Sequence, residues 1–184
     1  MFLRDFTKHT ATPVATAPLP PTLTGLTAAT LVETSGGWVT ASTLRVSSTV
    51  QTLDGGAVRI AAIDRQTLPV ATALIHLPGG VLDNCTDLLL LPRQMLLIDT
   101  LGTDEAPYAL TSAASLLGLP GVSLRKSTHR VEVITPMFAS EEAIWANSGV
   151  LFHCRGIQSE PSFFPQLNTA QAKALLACRA QLAA

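Results

Sequence analysis

Thr30-Leu31-Val32-Glu33-Thr34, then Gly36-Gly37, then Thr49-Val50-Gln51-Thr52-Leu53 running into Asp54-Gly55-Gly56, is the stretch that decides the fold class. β-Branched and apolar residues alternate over runs of strand length, and each run ends at residues that tolerate the positive φ of a tight turn. The same rhythm continues along the chain. Short strands are predicted at residues 58–63 and 70–77, with Pro69 between them, and at 88–91 and 95–98, on either side of Pro92. Others are predicted at 131–134, 143–145 and 150–152. Many short strands separated by turn signals predict a mainly β protein of the barrel or sandwich type. Helices are expected in two places. One is a turn or two at residues 112–117, ended by Gly118 and Pro120; the other spans 168–182. There Asn168 stands three residues before Gln171, the spacing of a capping box, and Leu167, Leu175, Leu176 and Leu182 supply an apolar stripe.

At 184 residues the chain has the length of one domain. With 12 Lys and Arg against 13 Asp and Glu, it lacks the basic face that phosphate contacts demand, so nucleic acid is not an expected partner. Only 14% of residues are charged, against a usual share of about 25%. Mean hydropathy is +0.36. No apolar run reaches the roughly 18–20 residues that cross a bilayer, so a spanning protein is not expected. Low charge with high apolar content leaves two expectations: a β-rich globular domain with little surface charge, or a subunit whose apolar surface a partner covers. Cys85, Cys154 and Cys178 are odd in number and lack a paired spacing, and His9, His76, His129 and His153 are scattered. No disulfide framework, metal site or other cofactor is expected. MFLRDFTKHT does not read as a secretory signal, and the expected compartment is the cytoplasm, with a place in a larger complex. Residues 1–22 are expected to form a tether, because Pro13, Pro18, Pro20 and Pro21 fall in a charge-free stretch. Residues 23–184 then form the domain.

The order of several segments carries a resemblance. Ala29 to Thr34, Gly37-Trp38-Val39, Leu44-Arg45 and Val50 to Gly56 resemble the opening of Hint domains, the autoprocessing modules of hedgehog proteins and inteins. The bacterial stand-alone group is the most similar. Leu88-Leu89-Leu90-Leu91-Pro92-Arg93-Gln94-Met95-Leu96-Leu97 resembles the segment around that group's central histidine. Glu142 to Val150 is similar to its late strand-turn-strand, and Phe163-Phe164-Pro165 with the terminal helix is similar to that group's C-terminal portion. The resemblance covers residues 25–182 and implies a Hint-like β fold.

It also implies a chemistry. In that family a cysteine or serine at the domain start attacks the preceding carbonyl, and a central histidine donates a proton to the leaving nitrogen. The family opens with this nucleophile, an aromatic residue, two variable residues and Gly-Thr. Setting Ala29-Thr30 on that pair puts Gly25 at the nucleophile, and glycine has nothing to attack with. Gln94 stands where the histidine belongs, Ser47-Ser48 replaces a Gly-Asp turn, and Glu141 falls at a late histidine. The implied reading is a Hint fold without Hint catalysis.

Val150 to Cys154 is similar to the C-terminal boundary of an intein but lacks the asparagine that would cyclise, so His153 and Cys154 are expected simply to finish a strand. Adjacent strand residues face opposite ways, which argues against a His153–Cys154 pair. Residual autoprocessing is the rival reading, with Thr24, Thr27 or Cys154 as substitute nucleophile. Asp99, Asp104 and Glu105 read as a solvated loop, and Arg125, Lys126, His129 and Arg130 as a solvated hairpin end. Trp38 and Trp145 are expected in the core. The expected function is a non-catalytic protein-interaction module that contacts its partner through the tether and exposed apolar helix positions such as Leu175 and Leu182. No sequence feature points to a small-molecule ligand.

Overall fold

The computed structural model describes residues 23–54, 56–102, 106–158 and 161–182. Pro13, Pro18, Pro20 and Pro21 lie outside these residues, as do Asp104, Glu105 and the side chain of Leu182. Among them run β1 (Leu26–Thr27), β2 (Leu31–Thr34), β3 (Gly37–Thr40), β4 (Thr49–Thr52), β5 (Gly56–Arg59), β6 (Ala62–Leu68) and β7 (Ala73–Leu77). The later strands are β8 (Leu88–Leu90), β9 (Met95–Asp99), β10 (Tyr108–Ser112), β11 (Ser123–Lys126), β12 (Val131–Met137), β13 (Glu142–Ala146) and β14 (Val150–Cys154). The helix α1 spans Thr169–Leu182.

The strands form two antiparallel sheets. One runs β11-β7-β8-β1-β12-β6; the other runs β10-β9-β14-β13-β2-β4-β5, with β3 beside β2. The chain passes between them at two places that matter for the site. Residues 58–63, expected as one strand, divide there. Ile60 donates to the Ser48 carbonyl and buries its side chain, while Ala61 donates to the Met137 carbonyl, so β5 belongs to one sheet and β6 to the other. The second crossing is the turn after β8, where the Gln94 N–H meets the Leu91 carbonyl at 2.9 Å before β9 begins. Leu26, Val32, Val50, Ile75, Leu90, Leu96, Ile134, Ile144 and Phe152 fill the space between the sheets. Burying such side chains contributes about 1.5–3 kcal/mol each.

Two other expectations change. The run 70–77 becomes a strand only from Ala73, since Ala71 takes φ +65° in a turn closed by Ser127. Trp38 is 42% exposed, because β3 pairs only with β2 and its outer face has nothing to pack on. The short helical turn expected at residues 112–117 is present, as a 3-10 turn at Ala113–Leu116. The Ser47-Ser48 turn keeps the shape that a glycine would favour: Ser47 takes φ +72°, and the Ser48 hydroxyl accepts the Arg45 N–H at 2.9 Å.

The terminal helix keeps its predicted start. Asn168 Oδ1 accepts the Ala170 and Gln171 N–H groups at 3.0 Å each, and Gln171 Oε1 accepts the Asn168 N–H at 3.0 Å. That reciprocal arrangement satisfies donors that a helix start otherwise leaves bare. Ala172 and Leu176 are buried, and the half-buried Leu175 packs on the core with Leu167. Leu175 is therefore not an exposed position: one turn of the helix face is consumed in docking α1 to the body. No helix among the described residues is long and apolar enough to cross a membrane.

Candidate functional site

The place where both sheets meet brings together Gly25, just before β1, Gln94, just before β9, Thr135 on β12 and His153 on β14. A cleft of about 400 Å³ opens beside them. At its base lies the Thr24–Gly25 peptide bond, held from both ends. Thr135 Oγ1 donates to the Thr24 carbonyl at 2.8 Å, and the Gly25 N–H donates to Gln94 Oε1 at 2.8 Å.

Gly25 is glycine for two physical reasons. Its φ of +143° lies where side-chain-bearing residues are strained. A Cβ there would also come within 2.7 Å of Thr135 Oγ1 and Val133 Cγ1 and 2.9 Å of the Ile134 carbonyl oxygen. The position thus lacks a nucleophile and has no room for one in this backbone geometry.

Gln94 is buried, and every polar part of its amide is used. Besides accepting from Gly25, its Nε2 donates to the carbonyls of Met95 at 2.7 Å and His153 at 3.1 Å. These bonds fix which way the amide faces: its oxygen points at the Gly25 N–H. A proton acceptor at a peptide N–H steadies the planar amide. Expelling the nitrogen requires the opposite, a proton delivered to it. A primary amide has no labile proton to deliver near neutral pH, so Gln94 acts here as a brace.

His153 and Glu141 form the second layer. His153 Nε2 pairs with Glu141 Oε1, which also accepts the Ser162 hydroxyl, while Glu141 Oε2 accepts the Phe163 N–H at 2.7 Å. Burial pushes the Glu141 carboxyl up, but the hydrogen bonds from Ser162, Phe163 and His153 outweigh it and hold it below its ordinary value. Glu141 is therefore a carboxylate engaged as a hydrogen-bond acceptor within the structure. Cys154, on the neighbouring residue, is buried in the main core, and burial, with the Glu142 charge adding to it, pushes its thiol to about 12. The thiolate that would attack a carbonyl is absent at neutral pH.

Other singled-out residues lie elsewhere. Thr27 is buried, with its hydroxyl between Thr30 Oγ1 at 3.1 Å and the Leu89 carbonyl at 3.1 Å. Asp99 Oδ1 accepts the Leu101 N–H, and Arg125 and Lys126 are exposed on β11. Trp145 is half-buried against Leu97, Leu110 and Leu151. Two side chains carry site geometry that the sequence did not announce. Thr135 looks like one more strand residue, and Ser162 like part of a polar loop. The available signal for Thr135 was its place one residue beyond a recognised apolar run.

Comparison with known proteins agrees with this geometry. Residues 24–152 match the family model described as Hint domain. The fold is similar to the solution structure of a bacterial intein-like domain from Clostridium thermocellum, with a TM-score of 0.53 and 12% identity over 72% of this chain and 99% of that one. It is also similar to a splice-inactive variant of the AceL NrdHF class 3 split intein, with a TM-score of 0.51 and 10% identity over 73% of this chain and 99% of that one. No curated protein matches the chain. With the family model spanning most of its length and the intein-like arrangement of its sheets, the chain belongs to the Hint-domain family.

Proposed function

We propose that this Hint domain does not process itself and acts as a protein-interaction module, an accessory subunit of a larger cytoplasmic assembly. One observation carries the reading: Gln94 accepts the Gly25 N–H, at a residue whose Cβ would collide with Val133 and the Ile134 carbonyl. The place that needs a nucleophile and the place that needs a proton donor are filled by groups that brace the peptide bond. The high apolar content of the chain and its Pro-rich residues 13–22 support an interaction role, with Pro13, Pro18, Pro20 and Pro21 as contacts.

Thr135 favours a second reading. Its hydroxyl still polarises the Thr24 carbonyl at 2.8 Å, which is what residual acyl transfer would need. Two of its three candidate nucleophiles are withdrawn, the Thr27 hydroxyl being engaged and the Cys154 thiol buried, which leaves Thr24. Mild purification from the protein's own cell, with intact mass measured and bound proteins identified, separates the two. A full-length mass with a stoichiometric partner supports the interaction module. A chain cut before Gly25 or after His153 defeats it.

A further inference from the structure

Away from the Thr24–Gly25 peptide bond lies a hollow of about 510 Å³, lined by Leu53, Asp54, Tyr108, Phe163, Phe164 and Pro165. It sits on the outer face of the sheet that ends in β10. Leu53, Tyr108 and Phe164 pack there with Leu97 and Leu151, whose strand neighbours Leu96 and Phe152 face the core between the sheets.

Its walls are fixed by backbone bonds. Leu53 donates to the Ala143 carbonyl at 2.8 Å, which seats the end of β4 on β13. Leu110 donates to the Pro165 carbonyl at 2.8 Å, and its own carbonyl accepts the Leu167 N–H at 2.9 Å. Residues 165–167 thus run beside β10, the edge strand. Glu141 Oε2 accepts the Phe163 N–H at 2.7 Å. Phe163 is thereby presented 86% exposed, edge-on to the half-buried Phe164, with ring centroids 5.4 Å apart and planes at 87°.

Three aromatic rings and one carboxylate share this hollow, and no lysine or arginine among the described residues lines it. Arg155 lines the adjoining groove, not the hollow. Burial chiefly raises the Glu142 carboxyl, and the Asp54 charge adds to the rise. Two like charges therefore feel each other on this surface, and neither enters an ion pair among the described residues. An apolar occupant would cover Asp54 without giving it a partner, which penalises burial of the charge. A guanidinium meets both demands, since it lies flat on an aromatic face while its N–H fork grips a carboxylate. An ammonium is a more strongly hydrated point charge and gives up more on leaving water. We infer that this hollow receives an arginine side chain of a partner protein, its guanidinium stacked on the Phe163 ring and paired with Asp54. The inference rests on the interaction-module reading, which supplies the partner.

An NMR titration of the full chain with acetyl-Gly-Arg-Gly-amide tests it, read at the amide signals of Tyr108, Phe163 and Phe164. The probe's ends are neutral, so the guanidinium is its one charge. It should shift these signals saturably. The matching citrulline peptide, uncharged and of nearly the same shape, should leave them in place, and the lysine peptide should bind several-fold more weakly. Phe163→Ala and Asp54→Asn alter exposed positions. Each should weaken arginine-peptide binding about two- to fivefold, with signals elsewhere unchanged. Equal shifts with the citrulline peptide would mark a merely apolar surface and overturn the inference. Equal affinity for the lysine peptide, shifts confined to other residues, or no saturable shift would overturn it too. Intact mass of the same sample separates the two levels of failure. A chain shortened at Gly25 defeats the interaction-module reading and the inference with it. A full-length chain that ignores the arginine peptide defeats the inference alone.

Discussion

The Gln94 side-chain oxygen sits 2.8 Å from the Gly25 backbone nitrogen and accepts its proton. In the same fold, a residue at this place that donated a proton would help to break the Thr24–Gly25 bond. The direction of one hydrogen bond thus separates a brace from an acid.

Removing the brace should cost stability rather than alter any chemistry. Gln94→Ala leaves the Gly25 N–H and the Met95 and His153 carbonyls short of a partner in a buried place. Each such loss costs about 1–3 kcal/mol. Incomplete burial of the three groups brings the expected total to about 3 kcal/mol, read as a lower urea midpoint with unchanged slope.

Restoring the family's residue types should not restore cleavage. In Gly25→Cys with Gln94→His, the new Cβ meets Val133 and the Ile134 carbonyl oxygen at less than 3 Å. The expected result is a protein destabilised by about 2–4 kcal/mol whose intact mass stays full-length. Accumulation of a fragment beginning at residue 25 would show that the backbone adapts and that the two side chains were all that was missing.

Thiol chemistry should divide the three cysteines. Cys85 and Cys178 are exposed, and Cys154 is buried with its thiol pushed to about 12. Iodoacetamide at neutral pH should label Cys85 and Cys178 in the folded protein and reach Cys154 only after denaturation. Labelling of Cys154 at a comparable rate would mean that β14 opens readily.

Part of this site could be read in the chain and part could not. Gln94 and Gly25 were legible only through the resemblance to Hint domains: setting Ala29-Thr30 on that family's Gly-Thr pair points to Gly25, and the similarity of Leu88 to Leu97 points to Gln94. The Asn168–Gln171 cap was legible because helix starts are local. Asn147 was not. Its Oδ1 accepts the Leu31 N–H at 2.9 Å and its Nδ2 donates to Thr86 Oγ1 at 2.6 Å, so it joins segments 116 and 61 residues away in sequence. β1 is not legible either, as two residues cannot show a period, and nothing local to Trp38 reveals that β3 lacks a second neighbour.

Acid should loosen the Glu141 layer. Its carboxyl titrates below its ordinary value of 4.5 in the folded protein, so it contributes stability above that pH. The contribution fades as pH falls through the lowered folded value. Glu142 opposes it: burial raises its carboxyl, so its charged form costs stability at neutral pH. Comparing the parent with Glu141→Gln cancels the Glu142 effect. The variant should be the less stable at pH 7, with the difference shrinking as the pH falls below 4.5. A constant difference across that range would mean that Glu141's charge plays no part.

The most direct test of a braced, uncleaved peptide bond is intact mass of the full-length chain held at neutral pH with excess dithiothreitol, which intercepts a thioester at residue 24, and in parallel with hydroxylamine, which also cleaves an ester there. The expected spectrum shows one full-length species whose mass does not change with time. Appearance of a fragment starting at Gly25, growing with dithiothreitol or hydroxylamine concentration, would contradict the account.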